Sequence, residues 1–294
     1  MKDILIIKTG AAGDVVRTTS LLNVLSGNIY WVTAHKYKPL LPEDMPGLRV
    51  LTLQEAFKLS KNAGFSQVIS LEEDYDCALL AAKANKDHLV GLYSDNGKIH
   101  YTDDSANWFD MSKVSRLKRI EANKLKMQNT LSYQHHIFQM IGKKFAGEPY
   151  RIFTSKSINT KDKLIGIEKR AGRQWPNKHW TGYSRLIEKL GEKGWQLKVF
   201  EQRSDLREYM QDIAECSHIV SGDTLAMHIA LAYEKTCTAI FNCTSPQEIY
   251  DYGLMKKVVS PVLKKYFYRT SFDEAVIESV SVDEVFTAIS LSIK

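Results

Sequence analysis

Short β-branched runs alternate with longer segments of helical period through the first half of the chain. The runs are DILIIK (3–8), NIYWVT (28–33), LRVLTL (48–53), QVISLE (67–72) and HLVGLY (88–93). Between them, 14–26 and DYDCALLAAKAN (74–85) carry apolar residues at helical spacing. Near-continuous apolar strands separated by helices are the pattern of βαβ units around a parallel sheet buried on both faces. A polar stretch from about 94 to 126 interrupts the rhythm, and 128–142 reads as one amphipathic helix. Residues 143–162 hold Gly, Pro, Ser and Lys without period and are the expected linker. A second series then starts: KLIGIE (163–168), a helix over 181–193, WQLKVF (195–200), a helix over 204–215, HIVSGD (218–223), a helix over 225–233 and TCTAIF (236–241). A short helix is expected near 245–252, and the Ser/Asp start of SVDEVFTAISLSI opens a terminal helix at about 282–293. The expected organisation is therefore α/β, with one Rossmann-like domain over 1–150 and another over 151–294.

Length and composition agree with this picture. A chain of 294 residues that is 44% hydrophobic and 25% charged is long enough for two buried cores. It holds no apolar run of the roughly 20 residues a membrane span needs, and MKDILIIK lacks the features of a signal peptide, so a cytoplasmic protein is expected. Cys77, Cys216, Cys237 and Cys243 show no CxxC spacing and read as reduced core thiols. The net charge of +6 is modest, but SKVSRLKRIEANKLK (112–126) and LKKYFYR (263–269) concentrate positive charge. Such runs are first a solvated face, then a site for anionic ligands or an anionic membrane surface; nucleic acid ranks last and is not expected as a partner.

Ligands of open α/β sheets bind beyond the carboxyl ends of the strands. In the first half that position is TGAAGD (9–14), where Gly10, Ala11, Ala12 and Gly13 leave the backbone amides uncovered. The loop has neither the Gly-Lys-Ser/Thr ending of a phosphate-binding loop nor the third glycine of a dinucleotide fingerprint, which disfavours a nicotinamide-dependent oxidoreductase. Asp14 is either a helix N-terminal cap or a catalytic carboxylate. Arg17, one turn on, is placed to pair with Asp14 or to receive an anionic group. In the second half Asp223 and Thr224 stand ahead of an apolar helix whose free amides and dipole suit a phosphate. Thr224 adds a hydroxyl there, Asp223 suits a cap or an acceptor for sugar hydroxyls, and His228 is either a core histidine or a ligand contact. EKRAGRQWPNKHW (168–180) brings Arg170, Arg173 and Lys178 together with Trp175 and Trp180, a set suited to a diphosphate, with Trp180 expected to pack at the helix entry. His135 and His136 are adjacent on a helix and point apart, and no zinc or di-metal ligand set is present.

Taken together, ILIIKTGAAGDVVRTTSLL (4–22), GRQWPNKHW (172–180), SGDTLAMHIALA (221–232) and FNCTSPQEIYDYG (241–253) resemble glycosyltransferase family 9, the heptosyltransferases. The resemblance implies the GT-B arrangement, two Rossmann-like domains facing a cleft, with acceptor on the first and nucleotide-sugar on the second. It implies an inverting glycosyltransferase that moves a heptose or related sugar from a nucleoside-diphosphate donor, ADP-heptose first, to a hydroxyl of a lipopolysaccharide or other surface glycan or lipid-linked acceptor. The family's catalytic acid falls on Asp14, with Gly13 and Arg17 as acceptor or orienting residues. Its phosphate-binding lysine falls on Lys178, and its Asp-Thr motif on Asp223 and Thr224, closed by His228. Leu225 and Ala226 supply amides, and Arg173 adds charge. No metal and no other cofactor is implied. Leu225-Ala226 replaces the Gly-Pro or Gly-Leu common in the family, and 254–281 lacks the cysteine-rich finger of some relatives. The span between WQLKVF and HIVSGD is one βα unit short, so the second domain is shortened there; Glu201, at a strand end, is the remaining candidate for ribose. The alternative, favoured by that shortening, is a non-catalytic nucleotide- or glycan-binding member that scaffolds or regulates glycan assembly.

Overall fold

The computed structural model describes residues 3–155, 160–172 and 174–293. The chain divides into two compact units, Met1–Phe153 and Thr154–Lys294. In the first unit the order is β1 (Asp3–Ile7), α1 (Ala12–Thr18), β2 (Asn28–Val32), β3 (Leu48–Leu51), α2 (Leu53–Leu59), β4 (Gly64–Ser70) and α3 (Tyr75–Lys83). It continues with β5 (Asn85–Asp95), β6 (Lys98–Tyr101), α4 (Ala106–Phe109), α5 (Arg119–Gln128) and α6 (Tyr133–Met140). The sheet order is β3-β2-β1-β4-β5-β6, parallel except for the β5–β6 pair. Leu5, Ile7, Val32, Val68 and Leu80 are among the buried residues of a core on one face of this sheet. At Gly91 φ is +97° and a Cβ would stand 1.9 Å from the Ser70 carbonyl oxygen, so only glycine lets β5 lie beside β4 there.

The second unit runs β7 (Leu164–Glu168), α7 (Tyr183–Glu192), β8 (Gln196–Val199), α8 (Leu206–Ala214), β9 (His218–Gly222), α9 (Leu225–Ala232), β10 (Thr236–Phe241) and β11 (Met255–Val259). Two single turns, α10 (Leu263–Tyr266) and α11 (Glu274–Ile277), precede α12 (Val282–Ser292). The sheet is fully parallel with the order β11-β10-β9-β7-β8. Among the described residues it has no strand outside β8 to match β3 of the first sheet, which is the shortening expected from the sequence. Ile165, Ile167, Val220 and Ile240 pack with Trp180, Leu186, Val285 and Ile289, so α12 closes one face of the same unit. Ser281 and Glu284 form a reciprocal capping box at the start of α12.

Four expected elements differ. The helix over 14–26 is α1 followed by a 3-10 turn, Thr19–Asn23; the hydroxyls of Thr18, Thr19 and Ser20 bond back to carbonyls three or four residues earlier and compete with helical amides. The helix over 128–142 shrinks to α6, because Asn129 accepts from the Leu131 amide at 3.0 Å and Ser132 caps the helix. No helix forms at 245–252; Lys257 of β11 donates to the carbonyls of Pro246 (2.8 Å) and Ile249 (2.6 Å), satisfying acceptors that helical amides would otherwise take. The linker region is partly core, with Phe145, Tyr150 and Ile152 buried. The polar stretch after 93 opens on a β5–β6 hairpin whose Asn96-Gly97 turn has φ of 47° and 77°, the usual two-residue turn for that dipeptide. Among the described residues no helix is long and apolar enough to cross a membrane.

Candidate active-site segments

In each unit the chemistry collects where a central strand hands over to a helix, the position at which open α/β sheets bind ligands. In the first unit, Ala11 is the residue before α1 and makes no side-chain cap, so Asp14 lies inside the first turn and is not the cap. Its carboxylate meets Arg17 Nη2 at 2.9 Å and Lys8 Nζ at 3.8 Å, with 36% of the side chain exposed. Arg17 is itself buried and its guanidinium lies 4.0 Å from the ring centroid of Tyr133 and 5.8 Å from that of Trp108. Tyr133 is buried, and its hydroxyl is 2.9 Å from Thr18 Oγ1.

Lys8 and Glu72 escaped the sequence reading. Lys8 Nζ donates to Glu72 Oε2 at 3.2 Å and to the Leu71 carbonyl at 3.4 Å. Burial pulls the lysine pKa down, but Asp14 and Glu72 outweigh it and the net shift is upward. Glu72 Oε2 also accepts from the amides of Thr9 (3.1 Å) and Gly10 (2.9 Å). Of the loop amides at 10–13 expected to be uncovered, that of Gly10 is therefore occupied, together with the Thr9 amide before it, by a carboxylate just past the adjacent strand's end. The signal was present: Lys8 and Glu72 each follow a buried run, on β1 and β4, which are neighbours. Gly13 lies in the first turn of α1.

In the second unit Lys178 Nζ contacts Asp223 Oδ2 at 2.7 Å and also donates to the Asp223 carbonyl at 2.9 Å. Burial raises the Asp223 pKa, yet Lys178 and then His228 more than offset it, leaving it at about 2. Asp223 is an ion-pair partner, not a cap. Thr224 holds the N-cap position of α9 without a side-chain cap bond, and its buried Oγ1 has no hydrogen-bond partner among the described residues. Leu225 and Ala226 form the first turn, and His228 is buried one turn further on. A Cβ at Gly222 would come within 3.1 Å of the Lys178 carbonyl and 3.8 Å of Thr224, so the glycine permits this close approach.

Lys178 ends a 3-10 turn, Pro176–Lys178, that is held from both sides. The buried Asn177 donates to the carbonyls of Arg269 (3.2 Å) and Ser271 (2.9 Å) and accepts from the Asp273 amide (3.0 Å). Asn242 Nδ2 donates to the His179 carbonyl at 2.7 Å. Trp180 packs in the core with Nε1 donating to the Val280 carbonyl at 2.9 Å, as expected for helix entry. Arg170 is not brought to Lys178: its Nε and backbone amide both donate to Glu168 Oε1 at 2.8 Å, and Glu168 also accepts from Tyr209 at 2.6 Å. Arg173 lies outside the described residues. Glu201 is exposed just past the end of β8. The four cysteines are buried and free, and burial raises the thiols of Cys77, Cys216 and Cys237 to about 12. Among the described residues no three His, Cys, Asp or Glu side chains cluster as a metal site.

The model of glycosyltransferase family 9 (heptosyltransferase) matches residues 202–271, a stretch containing Asp223, Thr224 and His228. Lipooligosaccharide heptosyltransferase 2 of Haemophilus influenzae is 23% identical, over 83% of this chain and 84% of its own. A glycosyltransferase family 9 structure from Veillonella parvula superposes with a TM-score of 0.66 at 15% identity, covering 99% of this chain and 97% of that one. E. coli heptosyltransferase WaaC with ADP gives 0.62 at 15% identity, covering 99% of each chain. The α/β fold class of two Rossmann-like units, GT-B in type, is the one those enzymes have.

Proposed function

We propose, from the premise that this chain is a relative of glycosyltransferase family 9, that it transfers a heptose or similar sugar from a nucleoside diphosphate to a glycan hydroxyl. The acceptor in this reading is a lipopolysaccharide-type or other lipid-linked surface glycan, and the donor is ADP-heptose. The observation that carries it is the start of α9, where the buried Thr224 Oγ1 has no hydrogen-bond partner among the described residues and Lys178 pairs with the adjacent Asp223, at a helix end whose first amides suit a phosphate. Lys178 neutralises Asp223, so a diphosphate arriving at this helix end meets no uncompensated carboxylate.

Asp14 acts as general base. It takes the proton of the acceptor hydroxyl while that oxygen bonds to the anomeric carbon. The bond from that carbon to the diphosphate oxygen breaks in the same step, the electron pair leaves with the diphosphate, and the centre is inverted. Lys178, the Thr224 hydroxyl and the amides at 224–226 stabilise the charge that develops on the leaving group. With that charge met by protein groups, the reaction needs no metal; full turnover after exhaustive chelation is expected, and loss that a divalent ion restores would refute it. Arg17 orients Asp14 through the 2.9 Å contact, with Gly13 leaving room for the acceptor. A purely scaffolding role leaves the Lys178–Asp223–Thr224 arrangement without a task.

Asp14→Asn tests the reading. Turnover with ADP-heptose is expected to fall by about 100-fold or more, with ADP affinity by calorimetry unchanged. Wild-type turnover in this variant would remove Asp14 from the role. Lys178→Ala is expected to weaken ADP binding by about 10-fold or more, the effect of one charge-assisted contact.

A further inference from the structure

Among the large apolar side chains that are exposed, Leu117, Ile120, Leu125, Met127 and Leu131 all fall within fifteen residues of one another. They lie on and beside α5, a ten-residue helix of which only Ala122 is buried. At 100° per residue, Ile120 and Met127 stand two turns apart on the face opposite Ala122. Ile120 is 69% exposed and Met127 49%, and Lys124 lies between them on that face. Lys118, Arg119 and Lys124 flank these residues, and 112–131 holds six lysines and arginines against a single acid, Glu121; Lys126 is on the inner side, and Glu73 of another segment lies near Lys126 and Lys113. Glu121 is paired with Lys124 at 2.9 Å, and Arg116 with Asp103 at 2.8 Å. On the inner side of the helix Ala122 is buried and the Lys126 ammonium lies 5.8 Å from the Trp108 ring centroid.

We infer that α5 is an interfacial docking helix: its outer face inserts Ile120 and Met127 at the surface of an anionic lipid bilayer, with the surrounding lysines and arginines on the headgroups. A short helix with so little core contact is marginal by itself, and large apolar residues on its outer face add nothing to its stability in water. Cations flanking apolar side chains on one helix face are the combination that an anionic bilayer takes up, since headgroups meet the charge and acyl chains the apolar tips. The inference is independent of sugar transfer and is tested without it.

Sedimentation of the full chain with phosphatidylcholine vesicles, with and without phosphatidylglycerol, measures this. Binding is expected only with phosphatidylglycerol and is expected to weaken in high salt. Ile120→Ser/Met127→Ser, which leaves the charge unchanged, is expected to weaken binding by about tenfold or more. Lys118→Glu/Arg119→Glu/Lys124→Glu is expected to abolish it, while Lys256→Glu/Lys264→Glu/Lys265→Glu, in the other unit, leaves it as in the wild type. Equal binding of the Ile120→Ser/Met127→Ser variant, or no preference for the anionic vesicles, overturns the proposal. So does a vesicle-free dimer in sedimentation velocity that the same two serines dissociate, which would assign the face to a second copy. As a second readout, Ile120→Trp is expected to add a fluorescence component that shifts to the blue on phosphatidylglycerol vesicles; an unshifted component overturns insertion.

Discussion

Lys8 has 6% of its surface exposed and neutralises two carboxylates that belong to different segments, Glu72 and Asp14. Without Lys8 the partly buried Glu72 carboxylate loses its cation while Asp14 keeps Arg17, so Lys8→Met is expected to cost about 2 kcal/mol in urea unfolding. Its pKa is higher in the folded than in the unfolded chain. Its ion pairs therefore contribute fully below the unfolded pKa and are lost as pH rises through the folded one, so an alkaline fall in stability above about pH 10 should be present in the wild type and reduced in Lys8→Met. Asp223 has the opposite sign. With its folded pKa depressed to about 2, its contribution is present above the unfolded value and lost as pH falls toward the folded one. Asp223→Asn is expected to remove about 2 kcal/mol near neutral pH and to flatten the acid limb of the stability profile between about pH 4 and 2.

At the scale of elements, the second unit depends on pieces that close it late in the chain. α12 contributes Val285 and Ile289 to the core and is started by the Ser281–Glu284 box. Ser281→Ala is expected to lower unfolding stability by about 1 kcal/mol, and Ile289→Ala by about 2 to 5 kcal/mol through the cavity it leaves. The turns over 245–252 are held by the Lys257 ammonium, whose pKa burial lowers. Lys257→Met is expected to destabilise the unit by about 1 to 3 kcal/mol, because two partly buried carbonyls lose their donor; an unchanged urea midpoint would show that water replaces it.

For the whole molecule, a ligand that binds only the folded chain raises its stability by mass action, about 2.7 kcal/mol at a concentration 100 times its Kd. Under the proposed function ADP is expected to raise the melting temperature more than GDP, UDP or CDP, and the rise is expected to shrink in Lys178→Ala. Much of the architecture was readable in the chain, because strand and helix periods are local: all the strands expected from apolar runs formed, and the glycine-bearing strand ends did become the loops ahead of α1 and α9. The missing strand outside β8 was likewise visible as a short span. Local pattern failed where a side chain from elsewhere took over a backbone group, as Lys257 did over 245–252 and Glu72 at the amides of Thr9 and Gly10. It gave the local Asp14–Arg17 pair but missed the long-range ones. Lys8 and Glu72 are 64 residues apart and Lys178 and Asp223 are 45 apart, and they meet only because strand order sets β1 beside β4 and the 176–178 turn against the end of β9. Hydrophobic period and the Asp14–Arg17 pair belong to neighbours along the chain and so are written in the sequence; Lys8 beside Asp14 and Glu72, and Lys178 beside Asp223, come from distant segments that folding alone brings within reach.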